Sequence, residues 1–384
     1  MPRQIGSIAK YVEPVNISNS LDYQLELFKQ DPKLTAIPIE QNDRVIGLVE
    51  RHKVNKLLSN KLLVFSTKKI EDFVQSFSCT VFAREYIEKN LTRISNSIYA
   101  EDVRFFPGMF TNNSFYGIVS FEDYLARLSE IREQDMEKAR VIQQHMLPKT
   151  DLLKNLPFSL GIWNCMANAV GGDYYVSKKL SQTKYVVASF DVSGKNVAAA
   201  LLTVAVGSFF ASRIAISPEI PTPASMTVDL DEFLTNIVPV GNFITGALCY
   251  IDMESKTIEI HNCGHTPIYA FVPDHESKKI KISTIQPNLP PFGMGSVKKE
   301  LSSIDKGNTV PVAQGVHINL YSDGFTDMQN ESGHRYDDEK TKQFFMKLYR
   351  THASEMEALT QKTVSEWIEN AMIPDDITVM ALRF

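Results

Sequence analysis

The sequence predicts an α+β protein in which two folded domains are joined by a long helix. The chain has 384 residues, which exceeds the usual size of a single hydrophobic core. Strand-like segments alternate with helical ones in the second part of the chain. Residues 122–146 contain neither Gly nor Pro and read as one helix. We therefore expect a first domain at 1–121, a helical linker at 122–149 and a second domain at 150–384.

The composition indicates a folded, soluble, cytoplasmic protein. Hydrophobic residues make up 43% and charged residues 22% of the chain, as in globular proteins. The net charge of -5 argues against a nucleic-acid-binding surface. Four cysteines lie far apart and form no CxxC pair: Cys79, Cys165, Cys249 and Cys263. This spacing argues against a zinc site or a disulfide framework. The apolar stretch Val197–Ala211 is shorter than the roughly 20 residues of a membrane span, so we expect a buried helix and no membrane contact.

The first domain is expected to be an α/β module with an internal repeat. The apolar runs Ala36–Ile39 and Val45–Val49 flank a polar turn, which predicts a strand, a turn and a strand followed by a helix. A second segment, Tyr116–Val119, lies 70 residues after Ile46–Val49 and is also followed by a helical pattern. Each copy therefore supplies a strand that leads into a helix.

With these two copies, residues 5–125 resemble a tandem pair of cystathionine-β-synthase-type (CBS) regulatory modules. The resemblance implies an adenine nucleotide effector bound through the pattern Gly117, Ser120 and Asp123. The first copy departs from this pattern, with Glu50 and Lys53 in place of the Ser and the Asp, so at most one such site is implied. The alternative is that Ser120 only caps the helix that follows it.

The linker is expected to be an amphipathic helix that Pro148 ends. Its apolar residues recur mostly at intervals of three or four: Leu125, Leu128, Ile131, Met136, Ala139, Ile142 and Met146. A helix of this kind either transmits a signal between the domains, pairs with a second chain to form a homodimer, or serves as a rigid spacer.

The second domain is predicted to be an α+β sandwich with antiparallel sheets, because its strands lack tight βαβ spacing. The strand candidates are Tyr185–Phe190, Gly246–Ile251, Thr257–His261, Val316–Tyr321 and Ile377–Leu382. Four aspartates lie beside a glycine or another acid where strands begin or end: Asp173, Asp191, Asp323 and Asp375. Any one of them alone is typical of a turn. As a set they suit hard dications, which prefer carboxylate oxygens.

Residues 136–384 resemble the SpoIIE-like branch of the metal-dependent (type 2C) serine/threonine protein phosphatases. The motifs that carry the resemblance occur in order along the chain. They are Ala139–Gln143, Gly171–Tyr175, Asp191–Lys195, Phe243–Thr245, Asn262–Pro267, Pro291–Met294, Tyr321–Asp327 and Asp375–Thr378. One departure is Asn196, which stands where the family usually has Gly.

The resemblance implies a two-metal hydrolase with a β-sandwich flanked by helices. Asp191 is expected to bridge two Mn²⁺ or Mg²⁺ ions, and the Val192 carbonyl is expected to bind one of them. Asp323 and Asp375 are expected to complete the second ion's shell. Asp173 is expected to lie beside the pair, directly or through water. Asp191 and Asp173 are thus the expected catalytic residues.

The implied activity is hydrolysis of phosphoserine or phosphothreonine on a regulatory partner protein, with the first domain regulating it. The resemblance points to an anti-sigma-factor antagonist as that partner. Two alternatives stay open: a catalytically weak scaffold that binds partners, and a phosphohydrolase of small molecules. Asp376 is expected to support the metal ligands without contacting the ions, or to stabilise the turn in which it lies. His265 is either a general acid or a packed residue, and Lys195 either meets substrate phosphate or lies solvated.

Overall fold

The computed structural model describes residues 2–58, 69–76, 79–101, 104–109, 114–147, 156–194, 197–216, 220–274, 276, 278–303 and 308–384. Pro148, Lys195 and Asn196, for which the sequence raised expectations, lie outside these residues. The chain divides into two compact units, Met1–Asp135 and Met136–Phe384.

The first unit contains a strand–helix–strand–strand–helix arrangement twice. The first copy consists of β1 (Val15–Asn16), α1 (Leu21–Gln30), β2 (Ala36–Gln41), β3 (Arg44–Glu50) and α2 (Arg51–Leu58). A short strand, β4 (Gln75–Ser76), pairs with β3. The second copy consists of β5 (Val81–Phe82), α3 (Leu91–Glu101), β6 (Phe105–Met109), β7 (Phe115–Ser120) and α4 (Phe121–Met146).

Strand pairing confirms the repeat at the level of structure. In each copy the first strand pairs in parallel with the second, and the second and third form an antiparallel hairpin. The β2–β3 hairpin turns through Asn42 and Asp43, which both have positive φ. Asn and Asp tolerate that conformation better than most residues, so the predicted polar turn has the right chemistry.

The second unit begins within α4, and its described residues form ten strands. They are β8 (Ser159–Cys165), β9 (Asp173–Lys179), β10 (Lys184–Val192), β11 (Ile244–Asp252), β12 (Thr257–Cys263), β13 (Ile268–Asp274), β14 (Lys279–Ile285), β15 (Asn308–Pro311), β16 (His317–Tyr321) and β17 (Ile377–Arg383). The further helices are α5 (Val197–Ile216), α6 (Pro223–Thr235), α7 (Val297–Ser302), α8 (Asp323–Asp327), α9 (Asp338–Arg350) and α10 (Met356–Ile368). All five strand candidates are confirmed.

Two antiparallel sheets form the predicted sandwich, with strand orders β15-β12-β11-β10-β9 and β14-β13-β16-β17-β8. Their inner faces share one apolar core, in which Val187 and Ala247 of one sheet belong with Ile318 and Met380 of the other. Residues of α5 and α6 pack on the outer face of the first sheet, and those of α9 and α10 on that of the second. Because successive strand residues alternate between faces, each sheet buries both of its sides.

Helix α5 was expected to be buried, but the structure buries only part of it. Ala199, Val206 and Phe210 are buried, but Leu201 is 66% exposed. Residues Val197–Ile214 are long and apolar enough to cross a membrane by length and composition, and 39% of them are buried in the fold. The helix therefore buries one face against the sheet and leaves an apolar face outside.

Candidate metal centre and a cationic cavity

Asp173 and Asp191 face each other across neighbouring strands. Asp173 opens β9, Asp191 lies near the end of β10, and the antiparallel register pairs the two residues directly. Val192 follows Asp191, and its amide donates to the Gly172 carbonyl at 3.1 Å. A Cβ on Gly172 would lie 2.8 Å from the Val192 carbonyl oxygen, so only glycine permits this close approach. The predicted bridging aspartate and carbonyl ligand thus belong to one tightly packed corner.

Asp323 and Asp375 form a second pair at the ends of adjacent strands. Asp323 begins α8 two residues after β16, and Asp375 lies two residues before β17, the antiparallel neighbour of β16. A Cβ on Gly324 would come within 3.2 Å of the Asp375 Cβ. The two carboxylate-bearing segments are therefore in contact, as expected from the sequence.

Hydroxyl groups connect the two pairs. The Thr378 hydroxyl donates to Asp173 Oδ2 at 2.6 Å, and the Thr378 amide donates to Ser322 Oγ at 2.8 Å. Ser322 precedes Asp323, and Thr378 lies three residues after Asp375. The network consequently joins Asp173 of one sheet to the carboxylate pair of the other.

Asp376 braces the glycines that precede Asp173. Its carboxylate accepts from the Gly172 amide at 2.6 Å and from the Ala167 amide at 2.7 Å. Burial raises the pKa of Asp376, and these two amides offset part of that rise. The side chain therefore holds the backbone of the corner in place.

The electrostatics of the Asp173 corner fit a cation. Burial raises the pKa of Asp173 well above its usual range, and the nearby Asp191 charge raises it further. Thr378 and Ser322 lower it only in part. A dication would remove this repulsion, and an all-oxygen donor set suits Mg²⁺ or Mn²⁺. Within the described ranges, no three His, Cys, Asp or Glu side chains converge as a metal-binding group. The four carboxylates lie in two pairs that Ser322 and Thr378 connect.

His265 is packed inside the fold, which favours the structural one of its two expected roles. Its side chain is buried, and burial lowers its pKa to about 4, so it is neutral at pH 7. Its Nδ1 lies 3.0 Å from Thr245 Oγ1. A general acid must carry a proton that it can give up near the working pH, and burial of the imidazole disfavours its protonated form.

Sequence reasoning missed the role of Gln143 on α4. Its side-chain amide donates to the Gly171 carbonyl at 2.6 Å and to Thr203 Oγ1 at 2.9 Å. Its Oε1 accepts from the Gly171 amide at 3.1 Å. A signal was present, because Gln143 lies four residues after Ala139 and three before Met146, on the apolar stripe of the helix. This buried amide ties α4 to the metal corner and to α5.

The first unit contains a cavity of about 460 Å³ with a mainly cationic wall. Lysine, arginine and histidine side chains line it: Lys10, Lys33, Arg51, His52 and Arg104. Ser120 and two acidic residues, Glu122 and Asp123, also line it, whereas Gly117 does not. A Cβ on Gly117 would lie 2.8 Å from the Lys10 carbonyl oxygen, so this glycine is explained by packing.

Ser120 caps the N-terminus of α4, which was the alternative to nucleotide binding in the sequence analysis. It also lines the cavity. Ser120 Oγ accepts from the Asp123 amide at 3.0 Å and donates to Asp123 Oδ2 at 2.7 Å. Lys10 Nζ donates to the same carboxylate oxygen at 2.7 Å. Although burial raises the pKa of Asp123, these two hydrogen bonds bring it below its usual value. The carboxylate is therefore ionised and already engaged.

Comparison with known proteins agrees with the sandwich fold of the second unit. The family described as Stage II sporulation protein E (SpoIIE) matches residues 181–384, more than half of the chain. The SiaA-PP2C domain of Pseudomonas aeruginosa is similar in structure, with a TM-score of 0.57 and 20% identity over 67% of this chain and 98% of that one. A search of curated proteins gives no match.

Two further solved structures show weaker likeness. The RsbU and RsbW domains of Rv1364c from Mycobacterium tuberculosis give a TM-score of 0.46 at 19% identity, covering 59% of each chain. The PP2C phosphatase domain with a regulatory fragment of SpoIIE from Bacillus subtilis gives 0.47 at 17% identity, covering 60% of this chain and 64% of that one.

The family match covers the Asp323 and Asp375 pair together with Asp191, and begins after Asp173. SpoIIE-type phosphatases are metal-dependent protein serine/threonine phosphatases of the PP2C class. The chain belongs to the SpoIIE family, and its second unit is a PP2C-type serine/threonine phosphatase domain.

Proposed function

We propose that Asp173, Asp191, the Val192 carbonyl, Asp323 and Asp375 hold two Mn²⁺ or Mg²⁺ ions. The observation that carries this proposal is the direct pairing of Asp173 with Asp191 in a buried corner. Two carboxylates in that position repel each other unless a cation or a proton lies between them. The contact between the Asp323 and Asp375 segments supplies the remaining donors.

The residues of the centre have separate tasks in hydrolysis. When bound, the two dications supply an activated water and neutralise the phosphoryl oxygens. Asp191 and Asp173 are the catalytic residues of the proposal, because the strand register pairs these two acids directly and together they would hold the ions. Thr378 holds the Asp173 carboxylate through Oδ2, and Ser322 also hydrogen-bonds to this carboxylate. Asp376 and Gln143 keep the Gly171–Gly172 backbone from moving under the site.

Hydrolysis of a phosphoserine peptide with and without Mn²⁺, beside an Asp191→Ala variant, tests the proposal. We expect activity only with metal and a loss of at least about 100-fold in the variant, since a bridging ligand is removed. Asp252→Ala is the matched control, because Asp252 pairs with Lys184 at the opposite end of the same strands. Equal activity in all the proteins, or without metal, would rule the centre out.

We further propose a phosphorylated regulatory protein in the cytoplasm, an anti-sigma-factor antagonist, as the substrate. Membership in the SpoIIE family supports this class of partner. A panel of phosphoserine proteins, phosphothreonine peptides and nucleotides would separate the alternatives. Preference for nucleotides would favour a small-molecule phosphohydrolase, and no turnover with intact metal binding would favour a scaffold.

For the first unit we propose a CBS-type pair whose cavity binds an adenine nucleotide and regulates the phosphatase. The repeated strand–helix–strand–strand–helix order and the cationic wall support this proposal. Because Lys10 already holds Asp123, the nucleotide must share or displace that contact if Asp123 is to bind the ribose. The phosphates then face Arg51 and Arg104.

Calorimetric titration of the whole chain with AMP, ADP and ATP tests the effector site. We expect binding that weakens at least fivefold in Arg104→Gln, because one charge-assisted hydrogen bond is lost. Lys29→Gln is the control, since Lys29 lies on α1 and does not line the cavity. Absence of binding for all three nucleotides would remove the effector.

We also propose that α4 pairs with its counterpart in a second chain to form a homodimer. Val141 and Ile142, in the part of this helix that belongs to the second unit, are exposed, and exposed apolar side chains favour contact with a partner. Analytical ultracentrifugation of the chain beside Ile142→Glu tests this proposal. A monomer at micromolar concentration in the unmodified chain would exclude it.

A further inference from the structure

One turn of the second unit contacts both strand ends that carry the metal carboxylates. This turn, residues 262–266, begins in the last two residues of β12. His265 Nδ1 lies 3.0 Å from Thr245 Oγ1, and Thr245 is the register partner of Asp191. The Thr266 hydroxyl donates to the carbonyl of Tyr321, two residues before Asp323. The turn therefore lies between the two halves of the proposed centre.

The turn is itself held rigidly by Asn262. Its Oδ1 accepts from the His265 amide at 2.9 Å, and its Nδ2 donates to the Thr266 carbonyl at 2.9 Å. Asn262 is fully buried, so water does not compete for these bonds. The imidazole of His265 is consequently presented in one orientation.

One tautomer of His265 satisfies both contacts of Thr245. The Thr245 hydroxyl lies 3.3 Å from the Asp191 carbonyl, and with its one proton directed there it accepts from His265 Nδ1–H. Nε2 is buried and has no hydrogen-bond partner among the residues that the structure describes. The ring also interacts with the main chain of Tyr321, on the side of the turn that faces Asp323.

We propose that His265 is a positioning residue of the metal centre, which acts through Thr245 on the main-chain carbonyl of Asp191. The inference rests on the proposed metal ligands. The Asp191–Val192 peptide is held by Gly172 on one side and by Thr245 on the other. Without the histidine donor, the Thr245 hydroxyl is free to turn to another staggered position. The Asp191 carboxylate and the Val192 carbonyl then lose their fixed relative orientation, and metal affinity falls.

Mn²⁺ affinity, measured by calorimetry without any substrate, tests the proposal. In His265→Phe we expect the Kd to rise about tenfold, the effect of losing about one hydrogen bond. Thr245→Val should give the same rise, and the double variant no more than either single one, because both break one chain of contacts. His265→Asn, whose amide can donate from the Nδ1 position, and Thr245→Ser should stay within about threefold of the unmodified chain. Unfolding midpoints of the metal-free proteins confirm that each variant is folded.

Three results overturn the proposal. One is a Kd within twofold of normal in His265→Phe, and another is a rise in His265→Asn as large as in His265→Phe. The third is a double variant whose rise equals the product of the single ones. If His265→Phe does not fold, the Thr245→Val and Thr245→Ser pair decides, and equal values for the two overturn the proposal. If the unmodified chain binds no Mn²⁺, the proposed metal centre itself fails, which is a distinguishable outcome.

Discussion

Replacement of Gln143 by alanine is expected to destabilise the phosphatase domain and loosen its metal corner. The change removes all three hydrogen bonds of the buried side chain. Thr203 keeps its bond to the Ala200 carbonyl at 2.7 Å, so the main loss falls on the buried Gly171 amide and carbonyl. Each buried group left without a partner costs about 1–3 kcal/mol, and two give roughly 2–6 kcal/mol.

Gln144→Ala is the matched control for this prediction. Gln144 is the next residue of the same helix, it is exposed, and its replacement changes helix propensity by the same amount. Urea unfolding of the metal-free proteins gives the two free energies of unfolding. Values within about 0.5 kcal/mol of each other would refute the reasoning. We also expect the Kd for Mn²⁺ to rise in Gln143→Ala alone, since Gly171 is two residues before Asp173.

Three further outcomes follow from the same site. Because the pKa of His265 is lowered to about 4 in the fold and is about 6.5 when unfolded, its stabilising contribution is lost as the pH falls from 6.5 to 4. Between pH 7 and pH 4.5 this amounts to about 2.4 kcal/mol, seen as the change in the stability difference between the chain and His265→Phe in urea unfolding. Asp376→Ala should lower kcat at least tenfold, because the Gly172 and Ala167 amides lose their acceptor; unchanged kcat at saturating metal would contradict this. Gly172→Ala should abolish Mn²⁺ binding measured by calorimetry, since the alanine Cβ would lie 2.8 Å from the Val192 carbonyl oxygen. Normal binding would contradict this and would show that the backbone around Gly172 can shift to admit the methyl group.

The predicted fold was correct wherever its signal was local. All five strand candidates of the second unit, the long helix and the repeat in the first unit are confirmed, because period-two and helical patterns are set by neighbouring residues. The predicted burial of Val197–Ala211 was only half right. Mean apolarity does not reveal which face of a helix a sheet will cover, and Leu201 lies on the uncovered one.

The candidate metal ligands could be predicted from the order of the motifs and from residue type. The residues that hydrogen-bond to these ligands could not. Ser322 and Thr378 read as ordinary residues beside the Asp323 and Asp375 motifs, yet they link those motifs to Asp173. Gly246 is another case: a Cβ there would lie 2.6 Å from the Phe190 ring and 2.8 Å from the Phe292 ring. The residues next to Gly246 in the sequence do not indicate that a side chain at this position would clash with the two rings.

By itself, the sequence determined the elements of this protein, the four aspartates and the family to which it belongs. Those features depend on short motifs and on residue chemistry. Only the tertiary structure decided that Gln143 joins the linker helix to the metal corner and that His265 is neutral and bonded to Thr245. Both results depend on groups far apart in the chain, whose burial and hydrogen-bond partners exist only once the sheets and helices have packed.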